Sequence, residues 1–70
     1  MAKFAAIAKD PKNIQIDQIE EDGTQHTVLL LVGGNKIMLS ARSFPLDELP
    51  KYMEAVQSLV GSLQSLNLLD

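Results

Sequence analysis

The chain has no cysteine and no tryptophan, and its only aromatic residues are Phe4, Phe44 and Tyr52. Without thiols there is no disulfide framework, no thiolate zinc or iron–sulfur site and no cysteine nucleophile. Long hydrophobic runs are missing too. The apolar stretch from Phe4 to Ala8 is shorter than the roughly 7–15 residues of a signal-peptide core. Val28 to Val32 stops at Gly33-Gly34, far below the roughly 20 residues of a membrane-spanning helix. The expectation is a cytoplasmic protein with no membrane association. There is no polybasic tract either: six Lys and Arg stand against nine Asp and Glu, a formal net charge of −3. That balance disfavours general attachment to a phosphate backbone.

What is present, 70 residues, suffices for one small domain. A chain this short buries only about 60% of its unfolded surface when it folds alone, so contacts with a partner are expected to add to its stability. Charge is unevenly distributed. Lys3, Lys9 and Lys12 make the start basic, Asp17, Glu20, Glu21 and Asp22 form an acidic cluster, Lys36 and Arg42 restore positive charge, and the remainder is acidic.

Turn signals divide the first 42 residues into four extended segments. Ala-rich residues 2–9 fit both the strand and the helix period and are read as a strand, closed by Asp10-Pro11-Lys12-Asn13. Residues 13–20 alternate apolar and polar, then slip phase at Gln18-Ile19, which predicts a bulge or strand end near residue 18. Asp22-Gly23 marks a turn, and residues 24–32 pair through Gly33-Gly34-Asn35 with residues 36–42 as a hairpin.

From Phe44-Pro45 onward the period changes. Leu49, Tyr52, Met53, Val56, Leu59, Val60, Leu63 and Leu66 recur at helical steps, so residues 47–66 are expected to be a helix with Asp47 as N-cap, Pro50 in the first turn and Asn67 at its end. Gly61 lies mid-helix, either a tolerated weakness or a point of close backbone approach. The expected fold class is α+β: a small antiparallel meander of about four strands, with one C-terminal amphipathic helix packed on one face. Residues 1–70 form a single domain.

One feature conflicts with a sheet that has one face in water. Val28, Leu29, Leu30, Leu31 and Val32 are apolar without interruption, which implies burial on both sides. One helix covers one face, so a second copy is the economical cover, as a homodimer or higher symmetric oligomer. Candidate interface residues are Val28, Leu29, Leu30, Leu31 and Val32 with Met53, Val60 and Leu63 of the helix. Asp17, Glu20, Glu21, Asp22, Lys36 and Arg42 are candidate contacts for a macromolecular partner.

Chemistry is thinly represented. His26 is the only imidazole, the serines form no nucleophile elbow, the acidic cluster lacks an EF-hand pattern, and Gly33-Gly34 lacks the phosphate-loop lysine and following helix. No catalytic residue, metal or cofactor is expected. The reading is a small acidic, non-catalytic interaction protein, an oligomeric regulator, inhibitor or adaptor that binds another macromolecule. Phages and other mobile elements encode many compact domains of this kind.

Two alternatives belong to other classes. In element order, four strands and then a helix, the chain resembles the positive-cofactor and Whirly type of single-stranded-DNA-binding oligomer. That resemblance implies a basic, aromatic-bearing sheet built here from Lys3, Lys9, Lys12, Lys36 and Arg42. The chain departs from it in placing Phe44 and Tyr52 beside the helix start. The other alternative is an oligomer that sequesters a small ligand or nucleotide, with Lys36, Arg42 and the Gly33-Gly34 backbone as anion contacts.

Overall fold

The computed structural model describes residues 3–70. It contains β1 (Lys3–Ala8), β2 (Ile14–Ile19), β3 (Gln25–Val32) and β4 (Lys36–Leu39), then a short 3-10 turn (Leu46–Glu48) and helix α1 (Leu49–Ser65). The strands form one antiparallel sheet in the order β1-β2-β3-β4, so the α+β meander with a C-terminal helix is the architecture. Residue 2, expected in the first strand, lies outside the described residues.

The β1–β2 turn is held by Asp10. Its carboxylate accepts from the Lys12 backbone N–H at 2.8 Å and from the Asn13 side-chain amide at 3.0 and 3.1 Å. The Asn13 amide, followed by the Lys12 N–H, holds the Asp10 carboxyl below its ordinary value of 3.8. A carboxyl whose folded-state pKa is lowered favours folding at neutral pH, and that contribution disappears as pH falls through the lowered value. An NMR titration is therefore expected to place the Asp10 midpoint below 3.8 and to show the Asn13 side-chain amide losing its shifted resonance over the same range. An Asp10 midpoint at or above the ordinary value would mean that these bonds are not kept in solution.

The bulge is real but sits elsewhere than expected. Ile16 opposes Leu29 while Asp17 opposes Thr27, so the extra residue is Val28 in β3 and not a residue near position 18 of β2. The bulge lets Val28 and Leu29 both enter the core, although strict alternation would send one of them to the other side. Register then assigns the faces. Phe4, Ala6, Ala8, Ile14, Ile16, Gln18, Leu29, Leu31, Ile37 and Leu39 lie on one side, and Ala5, Ile7, Gln15, Asp17, Ile19, Thr27, Leu30, Val32 and Met38 on the other.

β4 ends at Leu39 instead of continuing to residue 42, because the chain leaves the edge and crosses the first face. Arg42 there donates from Nε to the Gln18 side-chain oxygen at 3.3 Å, and Phe44 packs on Phe4 and Tyr52 at ring-centroid distances of 5.1 and 5.6 Å. The third contact of this cluster, Phe4 to Tyr52, is 5.4 Å. It fixes where the helix begins.

α1 lies over β1 and β2. Ala55, Leu59 and Leu63 are buried against Ile14, Ile16, Val28 and Leu29, with Tyr52, Val56 and Leu66 half-buried around them. Leu49, Met53 and Val60, expected to be part of the packed stripe, remain exposed. Asp47 is not the N-cap, since it belongs to the 3-10 turn and Glu48 precedes the helix without a side-chain cap bond. The C-terminus is closed by Asn67, as expected. At φ 61° its N–H donates to the Gln64 carbonyl at 3.1 Å and that of Leu68 to the Leu63 carbonyl at 2.9 Å, the Schellman arrangement with Asn in the position usually taken by Gly. A Cβ built on Gly61 meets nothing within 4 Å, so this glycine marks no close approach of another backbone.

Candidate functional site

A helix is about 10 Å wide and strands are spaced by about 4.8 Å, so one helix covers roughly two strands. On the helix side α1 lies over β1 and β2, and its buried residues reach Val28 and Leu29 of β3. Leu68 and Leu69 beyond it border Leu31 and Ile37, which leaves β4 the least covered strand. Among the described residues no element lies over the opposite side. Two surfaces result. The open face carries Ala5, Ile7, Ile19, Leu30, Val32 and Met38, with Gln15, Asp17 and Thr27 at its centre and Lys3, Gln25 and Lys36 at its ends. The free edge is β4, where Ile37, Met38 and Leu39 are 48%, 53% and 65% exposed.

The open face has a polar centre. Asp17 is buried and its Oδ1 accepts from Gln15 Nε2 at 2.8 Å and Thr27 Oγ1 at 2.9 Å. Both donors are neutral and come from β2 itself and from β3, so among the described residues the carboxylate is oriented by neutral groups. Hydrogen bonding of this kind satisfies a buried charge, whose burial would otherwise be costly. Half-buried Leu30 of β3 faces Gln15, one pair along this face from Asp17, and half-buried Val32 lies further toward the β3–β4 turn.

The acidic cluster does not act as a unit. Asp17 belongs to the open face, Glu20 stands 3.7 Å from Arg42 as a largely exposed ion pair, and Glu21 is exposed. Asp22 turns back on its own loop, accepting the Thr24 backbone N–H at 2.9 Å. That bond and one from the Thr24 hydroxyl hold the Asp22 carboxyl below its ordinary value. Lys36 is exposed at the start of β4, at the opposite end of the sheet from Arg42 and its partners Gln18 and Glu20. The fold therefore does not bring Lys36, Arg42 and the Gly33-Gly34 turn together as an anion site.

Of the residues expected at an interface, Val28, Leu29 and Leu63 lie in the core of this chain, and Leu31 packs against that core. Leu30 and Val32 belong to the open face, while Met53 and Val60 are exposed on the flank of α1. The basic residues divide. Lys9 and Lys12 are at the β1–β2 turn and Lys36 at the same end of the sheet, whereas Lys3 and Arg42 are at the other. The three rings that a nucleic acid would stack on pack against one another on the helix side.

Sequence reading missed three features. The Gln15–Asp17–Thr27 network follows from register across two strands and has no local signature. Glu48 is buried, and its Oε1 has no hydrogen-bond partner, a local weakness given that an unsatisfied buried polar atom costs about 1–3 kcal/mol. The exposed edge did carry a signal, since Ile37-Met38-Leu39 are three consecutive apolar residues in the last strand of a meander, where one side must face outward.

Among the described residues no group of three or more His, Asp and Glu is placed to hold a metal ion, and no helix is long and apolar enough to cross a membrane. Comparison with protein-family models, with curated proteins and with solved structures gave no match.

Proposed function

We propose that this protein is a non-catalytic interaction module, an oligomeric regulator, inhibitor or adaptor whose work is to bind another macromolecule through the open face of its sheet. The observation that supports this reading is the composition of that face. Ala5, Ile7, Ile19, Leu30, Val32 and Met38 share that face with the oriented carboxylate of Asp17 and its donors Gln15 and Thr27, with Lys3, Gln25 and Lys36 at its ends. Both α1 and the segment leading to it lie on the other side. Apolar residues around a few fixed polar groups are the composition of interface centres. A partner gains from covering the apolar residues, and its donors take direction from Asp17, whose remaining acceptor capacity points to a hydrogen-bonding group on that partner.

The test is a photo-crosslinking side chain placed at Leu30 or, separately, at Ser58 on the exposed part of α1, used in lysate of the producing cell. A single macromolecule captured from position 30 and not from position 58 is the expected result. Equal labelling from both positions, or none from position 30, would overturn the reading.

A further inference from the structure

We infer that β4 is a self-association edge, on which a second copy of this chain adds its own β4 antiparallel to form one continuous sheet. The inference concerns a different surface from the open face, and it rests on the reading above only in its oligomeric part, for which it names the edge. It starts from hydrogen-bond parity. The Ser40 N–H donates to the Val28 carbonyl at 3.0 Å, and the same register pairs Met38 with Leu30 and Lys36 with Val32. Because an antiparallel ladder alternates, Lys36, Met38 and Ser40 direct their backbone groups to β3. Ile37 and Leu39 direct theirs outward.

A two-fold axis through Met38 sets Ile37 of each copy opposite Leu39 of the other, so that the outward N–H and C=O groups of both residues pair in both copies. The side chains agree with this register. Ile37 and Leu39 share the helix side of the sheet, so each cross-strand pair there is apolar to apolar, while Met38 meets Met38 on the open side. Lys36, the only charge on β4, falls opposite Ser40, and the two lysines are kept about 14 Å apart at four residues of strand rise.

Charge placement supports a second copy over an unrelated strand. Counting the strands and the turns between them together with Arg42, the end bearing Lys9, Lys12 and Lys36 also holds Asp10, and the end bearing Glu20, Glu21 and Asp22 also holds Lys3 and Arg42, so the two ends differ in sign only modestly, +2 against −1. An antiparallel edge pairing sets the basic end of one copy beside the acidic end of the other, in spite of the net charge of −3 on each.

The other edge, β1, is guarded. It begins with Lys3, and Lys51, Glu54 and Ser58 of α1 border the cavity beside it, the charged cover that discourages strand addition. Beside β4 the bordering side chains are mainly apolar and uncharged: Leu31, Leu63, Leu68 and Leu69 with Asn35 on one side, and Val28 and Leu30 with Thr27 on the other.

The experiment is sedimentation of the full chain over a wide concentration range, read together with amide hydrogen exchange. A dimer is expected to form as concentration rises, with exchange at Ile37 and Leu39 slowing in step while Lys36 and Met38 stay protected throughout. Leu39→Pro removes an outward N–H and leaves the bonds to β3, so it is expected to weaken the dimer about tenfold or more with the monomer still folded. Should that variant not fold, Leu39→Lys, at a position 65% exposed, is expected to weaken it similarly. A chain that stays monomeric with fast exchange at both amides, or a dimer that leaves both amides fast, overturns the inference. A monomer that still crosslinks a partner from position 30 overturns the edge pairing and the oligomeric part of the reading above, and leaves its partner-binding part standing. An edge dimer with no such crosslink overturns the partner reading alone.

Discussion

Ile16→Ala is expected to lower the free energy of unfolding by about 2–5 kcal/mol, the range for removing a large aliphatic side chain from a packed core. Ile16 has 0% of its surface exposed. It sits in the second strand, opposite Ala6 of β1 and Leu29 of β3, so both neighbours are tied by backbone ladders and cannot move in to fill the space. A domain of this length is worth only about 4–10 kcal/mol in total, so the variant should be largely unfolded or close to it. Urea denaturation followed by circular dichroism checks this. With a slope of about 1 kcal/mol per molar for so small a protein, the midpoint should fall by about 2 M or more. A fall under about 0.5 M would show that the space between sheet and helix is not packed as described.

Phe4→Ala is expected to cost about 2–4 kcal/mol, somewhat less than a fully buried phenylalanine because this ring is half-buried. The ring joins three parts of the chain that are distant in sequence, touching Phe44 in the connection at 5.1 Å and Tyr52 on α1 at 5.4 Å, both in edge-on geometry. Edge-to-face pairs add about 0.5–1.5 kcal/mol beyond area burial, so Phe4→Leu should recover part of the loss and leave the aromatic share. The readouts are thermal unfolding and the near-ultraviolet circular dichroism of Tyr52, whose signal should collapse when its ordered neighbour is removed. If Phe4→Ala left both unchanged, the cluster would not be what anchors the start of the helix.

Much of the architecture was readable because it depends on local chemistry. Asp10-Pro11-Lys12-Asn13, Asp22-Gly23 and Gly33-Gly34-Asn35 are turns by their own side chains and backbone freedom, with Gly23, Gly33 and Gly34 at positive φ. The helix announced itself by a change of period, and Asn67 ended it by adopting the left-handed conformation that Asn tolerates. The unbroken run from Val28 to Val32 is a strand as expected, but the burial on both sides that it implied is found only on the helix side, with Val28 and Leu29 in the core and Leu30 and Val32 half-buried on the open face. Its register did not follow from the run, because a bulge at Val28 moves one residue between faces, and only pairing with β2 shows where that happens.

Composition and local periodicity were thus sufficient for element order, for the α+β class and for the exclusion of thiol chemistry. Those properties are set within a few residues of each position. Which side of α1 is buried, where β4 stops, how Asp17 is satisfied and which apolar residues stay exposed were settled by packing. The apolar stripe of α1, from Ala55 round to Met53, spans about 160° at 3.6 residues per turn. Only its Ala55–Leu59–Leu63 side is buried while Leu49, Met53 and Val60 stay exposed, so the stripe alone does not fix the orientation. The contact of Phe4, Phe44 and Tyr52 selects the one that covers β1 and β2 and leaves β4 and the open face uncovered.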